Sequence, residues 1–137
     1  MSLVLYHPVG FKELQLIAES GFMKFPPRLP DQPIFYPVLS REYAEKIARD
    51  WNSKDKFSGY VGAVAMFDIY DGFAQRYPVH EVGGYEHREL WIPANELEHF
   101  NSGIVAWISI LKIFLGKEFD GEIQDIISYC GSFETIN

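Results

Sequence analysis

Four side chains in this sequence have the chemistry to hold a ligand and act on it: His7, Arg28, Tyr36 and Glu89. Glu89 falls in the stretch Tyr85-Glu86-His87-Arg88-Glu89-Leu90-Trp91-Ile92-Pro93, whose aromatic and β-branched content reads as a strand closed by a proline. Alternation puts His87, Glu89 and Trp91 on one face and Arg88, Leu90 and Ile92 on the other. A carboxylate inside an otherwise apolar strand is costly to bury, so Glu89 is expected to face a partner, a cleft or solvent. The competing reading is a structural ion pair with Arg88, Arg28 or Arg49. Arg28 lies in a stiff segment, between Pro27 and Leu29, where it can clamp a pyrophosphate bidentately. His7 ends a first strand beside Pro8, where it can instead serve only to cap backbone groups, and Tyr36 can equally be a core aromatic with its hydroxyl at a rim.

Other groups carry weaker signals. His80, His87, Glu81 and Glu86 lie close in sequence, but no HExxH or CxxC spacing accompanies them, so no metal is expected. Gly83-Gly84 lacks both the fingerprint glycines and the lysine of a phosphate loop and reads as a hairpin turn. Trp51, Trp91 and Trp107 are expected in the core. The single cysteine, Cys130, permits no internal disulfide, fits a reducing compartment, and falls on an apolar helix stripe without basic neighbours, as an inert thiol does. A net charge of −7 argues against wholesale binding to a phosphate backbone, so nucleic acid is not an expected partner.

The elements that must position these groups follow from periodicity. Leu3 to His7 is a short strand stopped by Pro8 and Gly10, followed by a helix from Phe11 to Ser20 with Phe11, Leu14, Ile17 and Ala18 on one stripe and Gly21 as its C′ residue. Phe25 to Pro37 carries five prolines and should run extended and stiff, with Ile34-Phe35-Tyr36 as a short strand inside it. Ser40 caps a helix from Arg41 to Asn52, with Tyr43, Ala44, Ile47, Ala48 and Trp51 on its apolar face and Glu42–Lys46 and Glu45–Arg49 pairs outside. After the polar loop Asn52–Lys56 come a long apolar strand from Tyr60 to Tyr70, an Asp71-Gly72 turn, a helical turn over Phe73–Tyr77 and a strand from Val79 to Val82. Ala94 to Glu98 reads as a short helix. Ile104 to Leu115 is apolar enough for a strand buried on both faces and too short for a membrane span. A turn near Gly116 leads to a helix from Glu122 to Cys130, with Asp120 as a cap, Ile123, Ile126, Ile127 and Cys130 as its stripe and Gly131 as its stop.

A strand ending Leu5-Tyr6-His7, an Ile34-Phe35-Tyr36 strand leading into a helix with Ala44 and Ala48, and a later strand holding Glu89 resemble the ADP-ribosyltransferase fold, its His-Tyr-Glu branch most of all. More closely, Phe25 to Pro30, Gln32 to Leu39, Ile47 to Asn52 and Glu89 to Ala94 resemble a family of small bacterial proteins labelled "ADP-ribosylation/crystallin J1". The resemblance covers roughly residues 3 to 105 and leaves the tail uncovered. The hydrolases that share that label resemble large all-helical proteins with paired-aspartate metal motifs, which this strand-rich chain lacks. The resemblance implies NAD as substrate and no metal. It implies that His7 hydrogen-bonds the ribose, that Tyr36 stacks on the nicotinamide, and that Glu89 bonds the ribose 2′-OH and stabilises the oxocarbenium-like charge. Two positions depart from the family pattern: Pro8-Val9-Gly10 replaces a small-residue turn, and His87 stands where many protein-modifying members carry Glu or Gln.

With 137 residues, 47% of them hydrophobic, the chain is expected to form one domain of the α+β class with a mainly antiparallel, ADP-ribosyltransferase-like sheet and a few short helices, residues 106–137 adding a strand and a helix. Met1 to Val9 lacks the pattern of a signal peptide, so a cytoplasmic protein without a membrane partner is expected. The expected function is NAD binding with transfer of ADP-ribose to a protein, a small molecule or water. The alternative is a non-catalytic module that keeps the fold and binds a protein or a nucleotide.

Overall fold

The computed structural model describes residues 1–84, 86–129 and 132–136 and is a mixed α+β structure with mostly antiparallel sheets. The main sheet has four strands in the order β1 (Ser2–Val9), β3 (Val61–Tyr70), β7 (Ile104–Leu115) and β8 (Phe133–Thr135). β1 pairs antiparallel with β3 from Ser2↔Tyr70 to Val9↔Ala63, β3 pairs antiparallel with β7, and β8 joins β7 in parallel. Among the described residues two small antiparallel pairs accompany it: β2 (Ile34–Phe35) with β6 (Ile92–Pro93), and β4 (Val79–Glu81) with β5 (Arg88–Leu90).

β3 is apolar at nearly every position because both of its faces are covered. Val61, Ala63, Ala65, Phe67 and Ile69 point into the larger core, where Phe25, Phe35 and Phe100 join them. Val64 points the other way, into a smaller core with Val38, Ala44, Ala48 and Phe114. The larger core is sealed by α1 (Phe11–Glu19), through Leu14 and Ile17, and the smaller one by α2 (Arg41–Asp50). α1 stops as its sequence requires: Gly21 has φ 74°, its N–H bonds the Ala18 carbonyl and the Phe22 N–H bonds that of Ile17, the two bonds of a Schellman motif. α2 begins at Ser40, whose hydroxyl oxygen accepts from the Tyr43 N–H. Three shorter helices follow: α3 (Asp71–Ala74), α4 (Leu97–Asn101) and α5 (Ile123–Ile127).

Several expectations need correction. β1 does not stop at Pro8 but runs to Val9. Pro8 shares its backbone edge with Tyr6, whose N–H bonds Val38 rather than β3, so the missing proline N–H deletes no bond to β3. α2 ends at Asp50, leaving Trp51 past its last turn and exposed. Its outer ion pairs are Arg41–Glu45, an i,i+4 pair one step earlier on the helix, and Arg49–Asp50, in place of the Glu42–Lys46 and Glu45–Arg49 pairs read from spacing. The polar run after it is not a plain loop: Asn52–Lys54 and Lys56–Ser58 are single 3₁₀ turns that bury Asn52, Ser53 and Ser58. The helix expected over Phe73–Tyr77 starts two residues earlier, at Asp71. Ala94–Glu96 is a 3₁₀ turn before α4. β7 is not buried on both faces, since Ala106 takes φ 62° where its register with β3 slips, and Trp107 beside it faces outward. Trp91, in the break between β5 and β6, is 41% exposed, so none of the three tryptophans is a core residue. α5 is shorter than its periodicity suggests and is entered from Glu122 instead of Asp120. Tyr85, Cys130 and Gly131 lie outside the described residues. Among the described residues no helix is long and apolar enough to cross a membrane.

Candidate functional site

Val38 is the structural key to the site. Its N–H and carbonyl exchange hydrogen bonds with Tyr6 of β1, at 2.7 and 2.9 Å, and on its other side it bridges Glu89 of β5. The Leu39 N–H to Arg88 carbonyl bond (3.0 Å) and the Leu90 N–H to Pro37 carbonyl bond (2.9 Å) extend this seam. One residue of extended chain therefore lies between the His7 strand and the Glu89 strand, and Tyr36 stands two residues before it. Pro26, Pro27 and Leu29 of the Pro-rich segment leading into Tyr36 line the same cleft. His7, Arg28, Tyr36 and Glu89 all line one cleft of about 860 Å³.

Glu89 is buried, with 8% of its surface exposed. Burial pushes its carboxyl above the ordinary carboxylate range; His80, its cross-strand neighbour in the β4–β5 hairpin, and hydrogen bonding by the Trp91 indole and the Tyr43 hydroxyl oppose that shift. The Tyr43 hydroxyl is itself raised, first by burial and then by the charge of Glu89. Both of these side chains are held in place by rings. Trp91 stacks on His80 at 3.7 Å with planes 8° apart, and Tyr43 stacks on His87 at 4.6 Å. Tyr36, 41% exposed, makes a T-shaped contact with Trp91 at 6.2 Å. The Glu89 end of the cleft is thus a carboxylate beside a wall of aromatic rings.

His7 is buried against Phe35 and Phe25, with ring centroids 4.4 and 5.6 Å away. Its Nδ1–H donates to the Tyr36 carbonyl at 3.0 Å, the acceptor that a backbone carbonyl must be. Its Nε2 faces the Glu13 carboxylate at 3.4 Å. The same Glu13 oxygen lies 3.7 Å from the Arg28 guanidinium, which sits over the Phe35 ring at 5.6 Å. Arg28 is therefore directed to Glu13, and Arg49 to Asp50, rather than either serving as the counter-ion of Glu89.

The cleft brings together the four residues that the sequence singles out; Glu13 on its wall, and Tyr43 and His80 beside Glu89, are not singled out for it by the sequence. Glu13 carried no usable signal, because the helix stripe beside it describes only the apolar residues. From the sequence Tyr43 reads only as an apolar-face position of α2. His80 stood out only as a potential metal ligand. Among the described residues, no group of three or more His, Cys, Asp or Glu side chains is arranged to hold a metal ion. Comparison of the chain with protein-family models, with curated proteins and with solved structures finds no match.

Proposed function

We propose that the chain is an ADP-ribosyltransferase-like protein that binds NAD in the cleft between β1 and β5. The observation that carries this reading is the convergence of His7, Tyr36 and Glu89, far apart in sequence, on one cleft of a size suited to a nucleotide. The nicotinamide ring takes the aromatic wall of Tyr36 and Trp91, and the diphosphate takes Arg28. Glu89 accepts a hydrogen bond from the ribose 2′-OH. The bond between the nicotinamide nitrogen and ribose C1′ breaks, neutral nicotinamide leaves with the bonding pair, and positive charge develops on the ribose. A buried carboxylate gains most from a nearby cation that forms only in the transition state, which lowers the barrier more than it tightens ground-state binding. A nucleophile of an acceptor, or water, then bonds C1′ and releases its proton.

A specific observation favours a second reading, a nucleotide-binding module without turnover. Both ring nitrogens of His7 already face oxygen acceptors of the chain itself, the Tyr36 carbonyl and the Glu13 carboxylate. His7 can reach a ribose only if Glu13 gives way.

Ligand-observed NMR of NAD with the wild-type protein, His7→Ala and Glu89→Ala, followed by incubation of the same samples, separates the two. Saturation transfer in wild type, with nicotinamide release lost in Glu89→Ala, is the expected result. Binding without release selects the second reading. Absence of binding at millimolar NAD refutes both as stated.

A further inference from the structure

We infer that Glu13 is an internal stand-in for a ligand anion: it occupies a diphosphate subsite formed by Arg28, His7 and the first turn of α1, and a phosphoryl oxyanion displaces it. The inference rests on the nucleotide reading only for the identity of the molecule that carries the diphosphate.

The cluster has the ingredients of an ion-pair network but not its geometry. Charge-assisted hydrogen bonds are short, about 2.7–2.9 Å. Here one carboxylate oxygen, Glu13 Oε2, is shared at 3.4 Å from His7 Nε2 and 3.7 Å from Arg28. That oxygen is buried and accepts no hydrogen bond, and the Arg28 Nε–H is buried and donates none. The Glu13 side chain is 23% exposed as a whole, but buried polar atoms left in this condition are uncommon and call for a reason. The side chains are not held apart by disorder of their supports. Arg28 follows two prolines, its guanidinium lies over Phe35, and only 11% of its side chain is exposed. His7 is fixed by the Tyr36 carbonyl and two aromatic rings. The donors are thus set in place, and the anion that joins them fits loosely.

The surroundings select the ligand. His7, Glu13 and Arg28 line the cleft, together with Gly10 and Lys12 at the start of α1. No side chain caps the N-terminus of this nine-residue helix, so its first amides add positive potential on the same wall. Asp31, Asp55 and Glu89 also line the cleft, so anion affinity is confined to the neighbourhood of Arg28. A planar guanidinium, an imidazole and a helix terminus together suit an oxyanion with several acceptor oxygens better than the single carboxylate that now meets them.

The test uses inorganic pyrophosphate, followed by the His7 ring NMR signals and by calorimetry, on wild type, Glu13→Gln and Arg28→Gln, with thermal melting to establish that each variant folds. Pyrophosphate is expected to shift the His7 signals in wild type. Removing the competing charge in Glu13→Gln should tighten binding by about fivefold to tenfold, and Arg28→Gln should weaken it by about tenfold or more. Should Glu13→Gln fail to fold, Glu13→Asp withdraws the carboxylate while keeping its charge and should also tighten binding. Equal affinity in wild type and the folded Glu13 variant, or a titration that leaves His7 unmoved, overturns the inference. A parallel NAD titration keeps the two proposals apart. Tighter pyrophosphate binding without NAD binding upholds the subsite and removes NAD as its ligand, whereas NAD binding indifferent to Glu13 does the reverse.

Discussion

Replacing Gly62 by alanine should separate α2 from the main sheet. A Cβ at this position would lie 2.1 Å from the Ala48 carbonyl oxygen, 2.6 Å from its carbonyl carbon and 2.8 Å from its Cα. All three are backbone atoms, so no side chain can rotate away. Bringing the closest contact to 3.0 Å requires the helix to retreat by about 0.9 Å. Overpacking of this kind costs about 1–3 kcal/mol, and a rigid obstacle places this case near 3 kcal/mol. Lowering the entropy of the unfolded chain offsets about 0.4–1 kcal/mol of it. The net loss of about 2 kcal/mol should lower the melting temperature by about 6–10 °C for a chain of this length. In urea, it should move the midpoint by about 1 M. Circular dichroism measures both. Gly72→Ala is the control, because a Cβ there meets nothing within 4 Å and the residue lies in α3, where alanine is the better helix former. A Gly62→Ala protein that melts within about 1 °C of wild type would refute the close approach of helix and strand. The site should register the change too, since α2 carries the Tyr43 hydroxyl to Glu89.

Glu89→Gln should be more stable than wild type at neutral pH. The native carboxyl holds its proton to higher pH than the unfolded one, so wild type loses stability as pH rises from about 4 through the raised native value and stays lower above it. Urea midpoints at pH 4 and pH 7 should show the variant's advantage growing between them, and a constant difference would contradict the burial of an ionisable group. Tyr77, whose hydroxyl donates to Glu96 at 2.7 Å, has its ionisation pushed up to about 12, chiefly by burial. Absorbance titration of native protein should show a late-ionising tyrosine that Tyr77→Phe lacks, and stability should fall more steeply above pH 10 in wild type than in the variant. Ser40→Ala removes the oxygen that accepts from the Tyr43 N–H and should cost about 1 kcal/mol in chemical denaturation.

What the sequence made legible here follows the range of the interactions involved. Ser40 and Gly21 mark helix ends through bonds to residues within a few positions, and both ends stand where those residues put them. Gly83 and Gly84 both take positive φ in the connection between β4 and β5, which closes through the Val82 N–H to His87 carbonyl bond. Trp51 and Trp107 went astray because hydrophobicity reports what a side chain prefers and not whether a neighbour exists to cover it. The partner of Arg28 was out of reach for a related reason. Arg28 and Glu13 meet only because the Pro-rich segment folds back across α1, and no periodicity encodes that encounter. His7, Tyr36 and Glu89 stand together in the sequence only through the family resemblance, and the cleft that they share with Arg28 is a property of the tertiary structure.

The seam at Val38 also acts as a gauge. Hydrogen-bonded strands lie about 4.8 Å apart, so one intervening residue of extended chain holds the backbones of β1 and β5 about 9–10 Å from each other. Peptide geometry, which every sequence shares, sets that interval. Core substitutions that reshape side-chain packing can drift over generations while the span offered to a ligand between His7 and Glu89 keeps its calibration. The depth, polarity and rim of the cleft, by contrast, are written in side chains and are free to be retuned.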